Sequence, residues 1–527
     1  MSTFDLPTGY QHISRLPLTN PPMAQIEINK LLDALLQAPP SSEIYLQLLE
    51  QIRTALSFIE EDLAQGYINK ALPLGTIEDD RFMQTVTTWR KVARAYAHCA
   101  RVQGSGGQAT DSDGLALILH RCIYATEMVM YAHFRVRREL PAGVWLDLHG
   151  YYASAEEWGV ATIAVPGVVD STGRQSSCTD AYVGILLLEL VEPYGLTLRD
   201  MNLIWQWSMS WSSLAILGPI EADTPMPLLL VDLMEDSATG TAFEHSAFEN
   251  LRKLDTRQLL ELVGQIRSQL SRKISPEELG LGANCSVGQC QRLLKRAVKS
   301  WSLSRGARSF RRHKTTGKQS KVCAGFPAIH YFISGKEFVQ PTVANVYSRQ
   351  DFENLFAFRY LTDTTQQLEF RQSQLGFALE TWQVIDESPA GLRLLRSARP
   401  KRFEIGQLLS IRPADADAYF LAQVAWLMQE RSGALQIGAA VFPGKPQAIA
   451  VRPVAQQSMT GATHDYERAF VLPEIPSLAI EQTLILPAGW YHPQRYLELS
   501  TDRVRRVSLG RLVVEGVDFT RVTFDTL

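Results

Sequence analysis

The stretch Trp382-Gln-Val-Ile-Asp-Glu-Ser-Pro-Ala-Gly-Leu-Arg393 decides how the second half of this chain is read. Residues 382–385 form a β-type run, and a second apolar-alternating run follows over 391–395. Between them Asp386, Ser388 and Gly391 fall in the spacing D-x-S-x-x-G. An acid and a hydroxyl two residues apart at a strand end, with a glycine to allow the return turn, form a compact polar reader at a barrel rim. The same residues also make a plain turn, so a functional reading depends on what else the chain brings to them.

Outward from this stretch, short alternating runs recur at 321–333, 376–385, 407–411, 420–429, 434–441, 448–451, 482–486, 496–499 and 505–514. Strands at this spacing, broken by Gly and Pro turns, predict an antiparallel barrel or sandwich. They are too many for one small barrel, so the region holds a barrel with extensions or two packed β modules. Up to about residue 300 the apolar spacing is helical instead. Ile28, Leu31, Leu32, Leu35 and Leu36 make one stripe, and further helices are expected over 81–102, 115–138, 144–153, 198–217 and 256–272. The expected fold class is therefore multidomain α + β, with an all-α N-terminal half (a bundle or irregular solenoid) followed by β structure. Aromatics crowd two helices, Tyr124, Tyr131 and Phe134 on one and Trp205, Trp207 and Trp211 on the other. Core packing between helices accounts for them better than a partner groove does.

The 527 residues carry a net charge of -3, which predicts no overall attraction to nucleic acid or acidic membranes. The longest apolar run, 182–191, is too short to span a bilayer and contains Glu189. Six scattered cysteines read as reduced thiols of a cytoplasmic protein, and the spacing of Cys285 and Cys290 does not suit a zinc site. No P-loop, dinucleotide fingerprint, Gly-x-Ser-x-Gly elbow or metal-spaced His pair is present, so no catalytic residue, metal or cofactor is assigned and an enzyme is not expected.

Charge is nonetheless uneven. From 279 to 336 there is no Asp or Glu, against twelve Lys and Arg. The part between 302 and 319 has few apolar residues and reads as an arm rather than packed structure. Arginine suits an anionic ligand, because its guanidinium forks onto phosphate and its plane stacks on a base. Arg308 and Arg312 within the arm are spaced R-x-x-x-R, with Arg305, Arg311 and His313 close by.

The pair Arg308 and Arg312, followed by Asp386, Ser388 and Gly391 between two strands, resembles the PilZ-domain family. That resemblance implies a six-stranded β-barrel that binds cyclic di-GMP. Arg308 and Arg312 would grip phosphate and stack on guanine, with Arg305, Arg311 and His313 adding contacts. Asp386 and Ser388 would hydrogen-bond guanine or phosphate, and Gly391 would let the backbone come close. The expected domains are a helical domain over 1–250, an amphipathic helical linker over 251–300, a PilZ-like barrel with a basic N-terminal arm and an insertion over 301–455, and a C-terminal β extension or second β module over 456–527. Arg312 and Asp386 stand 74 positions apart, farther than the family's usual spacing. Either 332–370 is an insertion, or the arm is not the partner of the turn, in which case Arg349, Arg359 or Arg371 substitutes or the domain has lost the ligand. The implied function is a cyclic di-GMP receptor that couples nucleotide binding to a protein partner on the helical half, in surface attachment or type IV pilus regulation. The alternative is an interaction scaffold whose degenerate PilZ-like domain binds no nucleotide. A nucleic-acid partner is disfavoured, since only Trp301 and Phe310 interleave with the basic residues. The oligomeric state is left open.

Overall fold

The structure, a computed structural model, describes residues 6–105, 111–166, 175–220, 229–240, 247–302, 313–341, 376–397, 401–454, 465–501 and 503–527. The chain divides into two compact units, Met1–Ala307 and Arg308–Leu527.

The first unit is helical. Its helices are α1 (Leu6–Ser14), α2 (Pro21–Gln37), α3 (Ser42–Gln65), α4 (Thr76–Ser105), α5 (Ser112–Arg135), α6 (Val144–Glu157), α7 (Cys178–Leu190), α8 (Leu198–Trp211), α9 (Arg257–Ser271) and α10 (Val287–Trp301). The stripe Ile28, Leu31, Leu32 and Leu35 faces the core, as its spacing requires. The apolar run around 182–191 is α7, which is buried nearly all round. Helix α5 is long and apolar enough to cross a bilayer by length and composition, but 89% of its apolar window lies inside the unit. It is a core helix. The crowded aromatics also pack inward: Tyr131 stacks on Trp205 at 4.4 Å, and Trp207 stacks on Trp211, which meets Trp301 edge-on.

Two expectations change here. The helix expected over 198–217 ends at Trp211, and Ile216 begins a strand. That strand, β1 (Ile216–Pro219), joins β2 (Leu229–Asp232) and β3 (Leu251–Asp255) in a small antiparallel sheet ordered β1-β3-β2. Residues 251–300, expected as a linker, supply β3, α9 and α10 to this unit. Leu259, Val263, Leu293, Leu294 and Trp301 are all in its core. Arg296 of the acid-free stretch lies against the end of α7 and donates to the carbonyls of Val191, Glu192 and Gly195, so it ties down a helix C-terminus. Cys285 and Cys290 form a disulfide, with Cα atoms 6.2 Å apart, where two reduced thiols were expected.

Buried charge is handled in two ways inside the helical unit. Glu50 accepts from Arg121, Arg53 and Tyr96, which locks α3, α4 and α5 together. Burial pushes its carboxyl up, but the Arg121 hydrogen bonds and charge outweigh that and hold it at about 2. Glu127 in α5 has no such help. It is 1% exposed, its Oε1 makes no hydrogen bond, and burial drives its pKa well above the usual range. The folded unit therefore holds this proton to higher pH than the unfolded chain, which loses it above about 4.3, so Glu127 erodes stability as pH rises through that value. Glu127→Gln removes the ionisable group and is expected to raise stability by about 1–3 kcal/mol at pH 7 and much less at pH 4. Urea midpoints of the helical signal at the two pH values measure this. Equal midpoints for variant and wild type at pH 7 would refute it.

The second unit is two β-barrels. The first is built from β4 (His313–Lys314), β5 (Gln319–Ala324), β6 (Glu380–Ser388), β7 (Gly391–Arg396), β8 (Leu408–Pro413), β9 (Phe420–Gln429) and β10 (Leu435–Val441). The strand order is β4-β6-β5-β8-β9-β10-β7, and pairing of β6 with β7 closes the ring. β4 and β5 both lie on one side of β6 and act as one strand interrupted by a bulge around Gly317. The second barrel comprises β11 (Gln447–Pro453), β12 (Glu467–Leu472), β13 (Thr483–Pro487), β14 (Tyr496–Ser500), β15 (Val504–Glu515) and β16 (Phe519–Thr526), closed in the order β11-β12-β13-β16-β15-β14.

The run expected as a strand over 321–333 is only half strand. β5 stops at Ala324, and α11 (Phe326–Ser334) takes over, opened by Gly325 and Pro327 and ended by Gly335 in the left-handed conformation. Its sequence is apolar in either period, so alternation could not separate the two. Helix α11 is a wedge between the barrels. Ile329, Phe326 and Phe332 share a core with Leu408 and Leu421 of the first barrel and Phe470, Leu472, Ile485 and Phe519 of the second.

Candidate ligand-binding site

The hairpin β6–β7 carries the D-x-S-x-x-G residues. Ser388 pairs with Gly391, leaving Pro389 and Ala390 as a two-residue turn, and Ser388 Oγ donates to the Gly391 carbonyl at 3.3 Å. Gly391 was expected to allow the return turn and a ligand's close approach. Its constraint in the fold is different: it has no left-handed φ, and a Cβ added to it would strike the Ala439 carbonyl of β10. The glycine is what lets β7 and β10 come together.

One residue of β6, Ile385, is a bulge, after which Asp386 pairs with Arg393. Opposed residues on antiparallel neighbours share a face. Lys314, Asp386, Arg393, Gly438 and Trp426 therefore form one row across β4, β6, β7, β10 and β9. The next row, Glu387, Leu392, Ala439 and Val424, turns inward, and its last three members are buried. Asp386 thus lies on the outer face of the barrel, with Ser388 two residues along on the same side.

That outer row has the parts of a base-reading platform. The Arg393 guanidinium approaches Asp386 at 4.0 Å, donates to Gln436 Oε1 at 3.0 and 2.7 Å, and lies 5.7 Å from the centre of the Trp426 ring. Gly438 makes the geometry possible, because a methyl group there would strike the Trp426 indole. A carboxylate, a fork of N–H donors and an aromatic face stand side by side.

Around the corner, the barrel mouth forms a cleft of about 570 Å³, a volume within the usual range for small-molecule sites. Leu392, Ile411, Phe420 and Val441 line it below, and His313, Lys318, Glu387, Ser388 and Asp415 rim it. Lys318 bridges Glu387 at 2.8 Å and Asp415 at 3.0 Å. The hydrogen bond to Glu387 is the main reason its ammonium stays above its ordinary pKa, and Asp415 is lowered by the same lysine.

Of the residues singled out in the sequence, the structure brings three to this corner together with His313. His313 opens β4 and pairs with Glu387, while Lys314 pairs with Asp386. Arg305, Arg308, Arg311 and Arg312 lie outside the described residues, as do Arg349, Arg359 and Arg371. β5 and β6 are adjacent strands, and α11 follows β5 in the chain before β6 begins. Sequence reasoning missed Arg393, Trp426, Gln436 and Lys318, which belong to the site by position. Among the described residues, no group of three His, Cys, Asp or Glu side chains is placed to hold a metal ion.

A closed ring of short antiparallel strands with D-x-S-x-x-G on its β6–β7 corner and a basic segment leading into β4 defines the class. The chain belongs to the PilZ-domain family. More narrowly, it matches three family models: "Cyclic-di-GMP receptor FimW, N-terminal domain" over 10–222, "Cyclic-di-GMP receptor FimW, middle PilZ domain" over 228–374, and "FimW C-terminal beta-barrel domain" over 449–527. It is 22% identical, over 486 residues, to the cyclic-di-GMP receptor FimW of Pseudomonas aeruginosa, covering 84% of this chain and 78% of that relative. The middle match begins in the first unit, with β2, β3, α9 and α10, continues through β4, β5 and α11, and stops before β6, so the Asp386–Gly391 hairpin owes its assignment to strand pairing. The C-terminal match coincides with the second barrel.

Proposed function

We propose that this chain is a cyclic di-GMP receptor that binds the dinucleotide at the Asp386–Gly391 corner of the first barrel, with Arg308 and Arg312 of the basic arm closing over it. The observation that carries the reading is the pairing of β4 with β6, His313 against Glu387 and Lys314 against Asp386. Arg312 is bonded to His313, and one peptide unit spans only about 3.8 Å between Cα atoms. Arg308 is four residues farther back, so its reach from His313 is on the order of 15–18 Å. An arm of that length, rooted beside Asp386, covers a ligand seated there.

The chemistry matches the ligand class. Cyclic di-GMP offers two phosphodiester charges and two guanines. Arginines fork onto phosphate and onto the O6 and N7 edge of guanine, while the Asp386 carboxylate accepts from guanine N–H groups. Trp426 and Arg393 supply flat surfaces for stacking. The named activity of the Pseudomonas aeruginosa relative supports the same reading. We further assign the chain to the cytoplasm and its output to a protein contact of the helical half, in attachment or pilus regulation. That output rests on the resemblance of the overall plan. A ligand drives such coupling only through different affinities for two arrangements of the chain.

Calorimetric titration of the full chain with cyclic di-GMP, with cyclic AMP as the control, tests the binding step. Saturable heat with the first and none with the second is expected. Absence of heat with cyclic di-GMP would leave a barrel that serves only as an adaptor.

A further inference from the structure

Helices α9 and α10 bury their apolar stripes in the helical unit: Leu259, Val263, Ile266 and Leu270 on one, Cys290, Leu293, Leu294 and Ala297 on the other. Between their outer faces runs a groove of about 650 Å³. On α9 it is lined by Gly264, Arg267, Ser268 and Ser271, and on α10 by Gly288, Gln291, Arg292 and Lys295. Both sets follow the three-, four- and seven-residue spacing of one helix face. Every ionisable side chain lining the groove is cationic. Arg292 is held from below by Asp200, which also accepts from Gln289, yet 65% of the Arg292 side chain stays exposed. The nearest acid along α9, Glu261, stands one turn before Gly264.

The two glycines need explaining. Gly264 lies in the interior of α9, where a glycine costs about 0.5–1 kcal/mol relative to alanine, and Gly288 lies in the first turn of α10. Neither Gly264 nor Gly288 has a left-handed φ, and a methyl group on either would meet nothing within 4 Å. The unit's own packing therefore does not require them. Bare backbone on both walls of a cationic groove does permit another backbone to come close. A lone phosphate would use the arginines and leave the glycines without a role.

We propose that the α9–α10 groove docks an acidic helix of a protein partner, with its backbone over Gly264 and Gly288 and its carboxylates toward Arg267, Arg292 and Lys295. The groove spans eight residues of each helix, roughly 10 Å from first to last, so it reads about two turns of the partner. Carboxylates at i, i+3 or i+4, and i+7 would meet the three cations. The site lies in the helical unit and uses no residue of the nucleotide corner, so it stands whether or not the chain binds cyclic di-GMP.

The probe is a fluorescein-labelled, alanine-rich helical peptide with glutamates at i, i+4 and i+7, titrated with the full chain by anisotropy at 50 and 150 mM salt. Saturable binding that weakens with salt is expected, and the same peptide with lysines should not bind. Arg267→Glu/Lys295→Glu should weaken binding at least tenfold. Gly264→Leu/Gly288→Leu should do the same, although it leaves every charge in place and puts better helix formers at exposed positions. Circular dichroism checks that each variant is folded. Leucine variants that bind like wild type would show attraction by charge alone and overturn the proposal. So would binding of pyrophosphate without binding of the peptide.

Discussion

Replacing Arg308 and Arg312 together by alanine is expected to weaken cyclic di-GMP binding by a hundredfold or more, while the melting temperature of the chain changes little. Each arginine offers charge-assisted hydrogen bonds worth about 1.5–3 kcal/mol. Loss of both removes about 3–6 kcal/mol, which corresponds to roughly a hundredfold to ten-thousandfold in Kd. Asp386→Ala should cost about ten- to a hundredfold, since a single acceptor of guanine N–H groups is lost. Arg305→Ala/Arg311→Ala is the comparison, because it removes the same charge from the same arm but not the R-x-x-x-R pair. Screened attraction alone would make the two double variants equal. A specific site makes Arg308→Ala/Arg312→Ala the far weaker binder. A double-mutant cycle between Arg312 and Asp386 adds a second check, because residues gripping one ligand couple and independent sites add. Calorimetry on the variants reads all of these, and an Arg308→Ala/Arg312→Ala chain within threefold of wild type would remove the arm from the site.

The parts of this site that were legible in the sequence are those carried by local chemistry. Alternation fixed β6, β7, β9 and β10, because each has one buried face and a period of two. Three residue types in six positions marked the hairpin. The row Asp386, Arg393, Gly438, Trp426 was not legible, and the reason is register. It depends on the bulge at Ile385 and on a second one where Gly438 pairs with Trp426 but Ala439 pairs with Val424. Each bulge shifts every later pairing by one residue, and a bulge leaves no composition signature in either stretch. Helix α11 was hidden for a different reason, being apolar on all sides because it packs between two barrels. The Cys285–Cys290 bond was hidden because a five-residue spacing bounds the Cα distance without fixing it, and a disulfide needs a narrow range.

Gly391 is where turn and ligand site can be told apart. Gly391→Ala is expected to destabilise the second unit by about 2–4 kcal/mol, a fall in melting temperature of roughly 5–10 °C. The added Cβ would strike the Ala439 carbonyl oxygen, which is backbone and cannot rotate away. Ala439 is itself buried and paired to Leu392 on one side and Val424 on the other, and Val441 donates to the Ala390 carbonyl one step along. Relief therefore requires β7 and β10 to part at the very corner that holds the hairpin. Ser388→Ala removes only the 3.3 Å hydrogen bond to the Gly391 carbonyl, and should cost about 1 kcal/mol or less. The two neighbours thus separate in opposite directions. Serine loss should act mainly on ligand affinity, whereas glycine loss should act first on the barrel and on affinity through it. Calorimetric melting with and without cyclic di-GMP distinguishes them. If Gly391→Ala kept the wild-type melting temperature yet bound the dinucleotide poorly, the glycine would be serving the ligand directly and the constraint from β10 would be too soft to matter.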